Sequence, residues 1–192
     1  MKVRMTSAKL LADTASSGRH YMGWYRYASS EICEAASLLE TDPHTLASYL
    51  ALYSPRVQVK RSIRLACHRV QTGEHARGAM AHVRAAVEHW EQTGEIRGPK
   101  TRAFRDALLG DESAIVLDVW MARALGVDQR AFGVKSVYAQ ASGRVADAAG
   151  ILGVPPARTQ AAIWGMTISR AGLNAARMIL VRDTLYGREL AA

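Results

Sequence analysis

Cys33 and Cys67 are the only cysteines in 192 residues. Two thiols are too few for a disulfide framework, and cannot supply the four thiolates of an iron–sulfur cluster or a structural zinc site. Free cysteines in a chain without an export signal suggest a reducing, cytoplasmic setting. The opening MKVRMTSAKLLADTASSG carries basic residues but no continuous apolar stretch, and nowhere does an uncharged apolar run approach the ~18 residues of a membrane span. Neither export nor membrane insertion is expected. Chain breakers are also sparse, with five prolines and fifteen glycines, while alanine, arginine and leucine dominate, a composition that favours helices. No internal repeat or low-complexity block is visible. Apolar residues at 49% and charged residues at 22% describe a globular chain, long enough for a real core in one domain or two closely fused lobes.

What is plentiful is positive charge. The formal net charge is +8, carried by 20 arginines against 5 lysines. A guanidinium fork binds phosphate through two hydrogen bonds and stacks on bases, so the surplus points first to nucleic acid, with a solvated basic surface as the plain alternative.

Helical periodicity recurs from about residue 20 onwards. Thr41-Asp42-Pro43 is a helix start, an N-cap oxygen followed by proline at N1. Ser54-Pro55 repeats the device and predicts a helix from Pro55 to about Gln71, ended by Gly73. On it Val59, Ile63, Ala66, Cys67 and Val70 form an apolar stripe, while Arg56, Lys60 and Arg64 fall at i, i+4, i+8 on another face beside Arg61. From Pro43 to Gly73 there is no Asp or Glu. An unpaired basic row of this kind suits a helix lying against a phosphate backbone, and equally describes a solvated face.

The next segment predicts a helix with Met80, Val83, Val87 and Trp90 on one face and Gly94 as its C-cap. The short turn EIRGP follows, then a helix from about Thr101 with Ala103, Phe104, Ala107 and Leu108 inward, ending at Gly110-Asp111. SAIVL (113–117) reads as buried extended chain leading to an N-cap at Asp118 and a helix over 119–125. Further helices are expected near 136–152, from Pro156 to about Arg170, and from about 173 to 189. His75, His82 and His89 fall at intervals of seven, one exposed stripe of a helix; with His44 and His68 they form no usual ligand set, and no zinc is expected. Trp164 and Tyr138 read as core.

Two helices joined by a tight glycine-containing turn can hold DNA without reading its sequence. The turn amides and the N-terminus of the second helix point at one phosphate. Gly98-Pro99-Lys100-Thr101, followed eighteen residues after Lys100 by Asp118 in VLDVWMARAL, resembles the core of the helix-hairpin-helix DNA glycosylase superfamily. There a Gly-x-Lys hairpin precedes a Val-Asp-x-His segment at this distance. LALYSPRVQVKRSIRLA (50–66) resembles that family's Leu-Ser-x-Gln segment, and 138–164 is similar to the ending of a short branch, without an iron–sulfur cluster, found in phages and bacterial mobile elements. The matches span about residues 40 to 165. Three departures stand out: Ile96 replaces the hairpin's first glycine, Trp120 replaces the histidine after the aspartate, and the cluster cysteines of some members are missing.

The resemblance implies an all-α fold of two helical lobes with the active-site cleft between them, formed by one domain over 1–192. The helix-hairpin-helix would lie at about 77–109 and the catalytic aspartate segment at 113–125. It implies a DNA glycosylase excising a damaged or modified base from double-stranded DNA, in repair or against phage-modified DNA. Asp118 would stabilise the positive charge that develops on the sugar. Lys100 would attack C1′ as a neutral amine, its pKa depressed at the helix N-terminus, adding AP-lyase chemistry. The bland readings are that Asp118 is only an N-cap and Lys100 only a phosphate contact. Arg56, Lys60, Arg61, Arg64, Arg97, Gly98 and Thr101 are the expected DNA contacts. Since the base must leave the stack, Arg56 or Gln58 would fill the gap, and Trp120 and Met121 would pack on the flipped base. No cofactor is required, though the hairpin tip leaves room for a monovalent cation. A monomer is expected. The competing class is a helix-hairpin-helix protein that binds DNA without cutting it, a regulator or recombination accessory.

Overall fold

The computed structural model describes residues 3–173. Among these the regular structure is all helical, with no strand. Nine α-helices are described: α1 (Ala8–Ser17), α2 (Trp24–Leu38), α3 (Pro43–Tyr53), α4 (Val59–Thr72), α5 (Ala81–Thr93), α6 (Pro99–Leu108), α7 (Val119–Leu125), α8 (Lys135–Leu152) and α9 (Pro156–Arg170). Short 3-10 turns occur at Arg19–Tyr21 and Gln129–Gly133. No described helix is long and apolar enough to cross a membrane. The helix expected over 173–189 lies outside the described residues.

The described chain divides into two compact units, one of residues 3–25 and 111–173 and one of residues 26–110. In the first, α9 packs on α1, α7 and α8. Leu11, Ala12, Leu117, Met121, Leu125, Val145 and Ile163 are among the buried residues that fill its core. Small residues bring the backbones close. A Cβ at Gly165 would stand 2.3 Å from the ring of Tyr21, so only glycine lets that ring lie flat on α9. In the second unit α3 is the central helix, packed by α4, α5 and α6. It is apolar nearly all round, and Leu46, Leu50, Leu52 and Tyr53 are buried, as expected of a helix covered on several sides.

Several expected elements stand where the pattern put them. Asp42 caps α3 through a hydrogen bond from the Thr45 amide with Pro43 at N1, Gly73 and Gly94 close α4 and α5 in the left-handed conformation, and Asp118, itself extended, caps the helix over 119–125 after a non-helical 114–117. Three expectations need correction. α4 begins at Val59, not Pro55, because Ser54 belongs to the helix before it: its hydroxyl donates back to the Ala51 carbonyl at 2.8 Å. Arg56 then turns with φ +58°, so it lies off the α4 face that carries Lys60 and Arg64. Helical structure also starts earlier than residue 20: Ser7 caps α1 by accepting the Leu10 amide. Third, α5 begins at Ala81, so His75 is not on the histidine stripe. It is half-buried, its Nδ1 2.7 Å from the Tyr53 hydroxyl and its Nε2 3.3 Å from Glu88 Oε1.

Candidate functional site

In the unit of residues 26–110, α5 and α6 are joined by the turn at 94–98. Gly98 is the N-cap of α6 with φ +89° and ψ +131°, a region nearly closed to residues with a Cβ. Pro99 occupies N1, where its missing N–H is no loss. Ile96, standing where the resembled family has glycine, is a core residue at 2% exposure, and its carbonyl accepts the Arg102 guanidinium at 3.2 Å. The turn is therefore pinned by a buried side chain.

Lys100, in the first turn of α6, donates to Ser54 Oγ at 3.4 Å. Ser54 heads the loop that carries Arg56 and Gln58, so the hairpin and the 54–58 loop adjoin. Both Arg56 and Gln58 are exposed, and the Gln58 side chain makes no cap bond to α4. Lys60, Arg61, Arg64, Arg97 and Gly98 are exposed as well, and Thr101 is half-buried. Arg61 donates to the Gly78 carbonyl at 3.3 Å.

One cation of α4 does have an acidic partner. Arg69 donates from Nε and Nη2 to the two oxygens of Glu91 at 2.8 and 2.6 Å, and Tyr49 donates to the same carboxylate at 2.7 Å. Burial by itself would raise the Glu91 carboxyl, but the bonds from Arg69 and Tyr49 hold it below its ordinary value. Burial and that carboxylate push the Tyr49 phenol up to about 12. Among the described residues, Lys60, Arg61 and Arg64 form no ion pair. The row on α4 without an acidic partner is thus these three, and Arg69 is structural.

In the other unit, Asp118 ends the extended segment and caps α7. Its Oδ1 accepts the amides of Trp120 and Met121 at 2.9 and 3.0 Å. Its Oδ2 accepts the indole N–H of Trp164, on α9, at 3.1 Å. Three donors from two helices thus fix the carboxylate. Aromatic rings continue from there. Trp24 lies with its ring centroid 5.5 Å from that of Trp164, and Tyr25 stands edge-on to Trp24 at 4.9 Å. The Tyr25 hydroxyl donates to Oε1 of Gln160 at 2.8 Å, and Gln160 is 1% exposed. Burial, followed by the charge of Asp118, raises the Tyr25 phenol well above its ordinary value. Burial also raises Tyr138, whose hydroxyl bonds the Ile115 carbonyl at 3.4 Å.

The two residues expected at a base pocket part company. Met121 is fully buried among Leu117, Leu125 and Ile163, so it is core. Trp120 is half-buried, and the Arg123 guanidinium lies 4.3 Å from its ring centroid. Trp164, expected in the core, borders that core and also holds Asp118. The brace between Glu112 and α9 was equally unforeseen: the Ala157 amide donates to the Glu112 carbonyl at 2.9 Å, and the Arg158 guanidinium pairs with the Glu112 carboxylate. No pattern in the sequence marks these partners, since they join positions about 46 residues apart. Lys100 and Asp118 belong to different units. No group of three or more His, Cys, Asp or Glu side chains among the described residues is placed to hold a metal ion.

The chain belongs to a family of unknown function (DUF7178), whose model matches residues 9–171. No curated protein and no solved structure matches it.

Proposed function

We propose that this member of a family of unknown function is a DNA glycosylase that excises a damaged or modified base. The observation that carries the reading is the carboxylate of Asp118, anchored by three N–H donors beside aromatic rings. It follows, in chain order, a hairpin whose glycine opens a helix with Lys100 in its first turn. The exposed Lys60, Arg61, Arg64 and Arg97 supply the sequence-independent grip on phosphate.

In the hydrolytic form the C1′–N bond breaks with its electron pair leaving on the base. Positive charge gathers on the sugar, and the Asp118 carboxylate stabilises it. Water adds to C1′, losing one proton to solvent through Asp118 while the departing base takes up one, to give the free base and an abasic sugar. In the lyase form the neutral Lys100 amine attacks C1′ in place of water. The sugar ring opens to a Schiff base, loss of a C2′ proton expels the 3′ phosphate, and hydrolysis of the imine regenerates Lys100. A short phage- and mobile-element-type resemblance favours a modified base in phage DNA as the substrate.

One observation favours the competing reading of a DNA-binding protein without catalysis: Asp118 already satisfies the first amides of α7, a sufficient reason for an aspartate there. A panel of duplexes carrying single lesions, together with modified phage DNAs, separates the two. The glycosylase forms abasic sites on at least one substrate, Asp118→Asn forms none, and DNA affinity is unchanged or higher. Abasic sites formed by Asp118→Asn at the wild-type rate would remove Asp118 from the chemistry. Borohydride trapping of a protein–DNA adduct, lost in Lys100→Ala, identifies the lyase form.

A further inference from the structure

We infer that Trp164 is the positioning residue of Asp118, its indole N–H setting the direction of the carboxylate while the α7 amides set its place. The inference rests on the glycosylase reading, which makes that carboxylate the reacting group.

The argument starts from the two oxygens. Oδ1 is committed to the Trp120 and Met121 amides, as in many capped helices. Those two bonds fix one oxygen and leave the carboxylate free to swing about it. The second oxygen needs a donor from elsewhere, and Trp164 Nε1 supplies it at 3.1 Å. An indole has one N–H and accepts no hydrogen bond, so its donor role cannot invert.

The indole is itself held. Trp24 packs on its ring, and Tyr25, beside Trp24, is bonded to Gln160. Gln160 lies one turn before Trp164 on α9, so both ends of this arrangement are tied to the same helix face. The start of α9 is fastened to the segment leading into Asp118 by the Glu112 contacts to Ala157 and Arg158. The distance from Trp164 to the carboxylate is therefore set by two independent fastenings. Fixed donors of this kind preserve the orientation of a reacting group without reorganising during the reaction.

Trp164→Phe keeps a ring for Trp24 to pack on and removes only the N–H. Two readouts judge it. In nitrogen-15 spectra, the indole N–H resonance missing from Trp164→Phe shifts in Asp118→Asn far more than that of Trp90, and exchanges faster with water in Asp118→Ala. On whichever duplex of the lesion panel is cut, the single-turnover rate of Trp164→Phe falls by roughly tenfold to a hundredfold, the scale of a misplaced reacting group. Its affinity for a duplex bearing a tetrahydrofuran abasic-site analogue stays within about twofold of the wild type, because only orientation is lost. A Trp164 resonance indifferent to Asp118→Asn overturns the inference. So does excision by Trp164→Phe at the wild-type rate, which leaves the glycosylase reading intact. A responsive resonance in a wild-type protein that cuts nothing overturns that reading, and the positioning role with it.

Discussion

Replacing Asp118 by alanine removes three accepted hydrogen bonds at once, whereas replacing it by asparagine keeps most of them. The Asp118 side chain satisfies the amides of Trp120 and Met121 at the start of α7 and the indole of Trp164. Loss of an N-cap costs about 1 kcal/mol, and loss of a hydrogen bond to a charged group adds about 1.5 kcal/mol. Trp164 is half-buried, so water recovers part of the second loss. Asp118→Ala is therefore expected to destabilise by ~2 kcal/mol, which in a chain of this size lowers Tm by roughly 4–8 °C. Asparagine caps as well as aspartate, and its amide oxygen still accepts, so Asp118→Asn should lose less than ~1 kcal/mol. Thermal unfolding followed by circular dichroism measures both variants. Equal losses for alanine and asparagine would refute the reasoning, because the charge and not the acceptor geometry would then hold the residue. If the two differ as expected, loss of excision in Asp118→Asn reports chemistry in a folded protein.

Three other perturbations follow from the second unit. Lys60→Ala and Arg64→Ala should each weaken DNA binding uniformly across sequences and reduce the salt slope by about 0.9 in a titration against ionic strength; a slope unchanged in the double variant would make the row a solvated face. Ile96→Ala, emptying a site buried to 2% exposure, should cost ~2–4 kcal/mol in urea unfolding, and a loss under ~1 kcal/mol would mean that the hairpin is not pinned there. Tyr49 and Tyr53 are both pushed up to about 12, chiefly by burial. Their folded values exceed the ordinary 10.0, so the stability they contribute is complete below pH 10 and is lost as pH rises towards 12. Unfolding monitored by tyrosinate absorbance should show that alkaline limb, and Tyr49→Phe should reduce it.

Much of the backbone was legible because helix ends are written locally. Asp42-Pro43, Gly73, Gly94, Asp118 and Pro156 each mark a boundary within one or two residues of the observed one. Ser54-Pro55 misled for a physical reason: a serine hydroxyl can bond forward as an N-cap or backward to a carbonyl, and only the fold decides. The site was legible as far as Asp118 being a cap and Gly98 standing in the tight turn before Pro99. Its partners were not. Trp164, Gln160 and Glu112 meet their partners across 46 to 135 residues, and one sequence holds no trace of such pairings. Arg69 makes the same point, since the acid that neutralises it sits 22 residues on, beyond the stretch in which acids are missing.

The left-handed backbone at Arg56 has its own consequence. With φ at +58°, an arginine stands where glycine would sit without strain, at a penalty of about 1 kcal/mol. The folded chain gains nothing from that side chain in return: it is exposed, and no hydrogen bond or ion pair is described for it. That makes Arg56 the residue of the 54–58 loop at which glycine should relieve about 1 kcal/mol of backbone strain in the free protein.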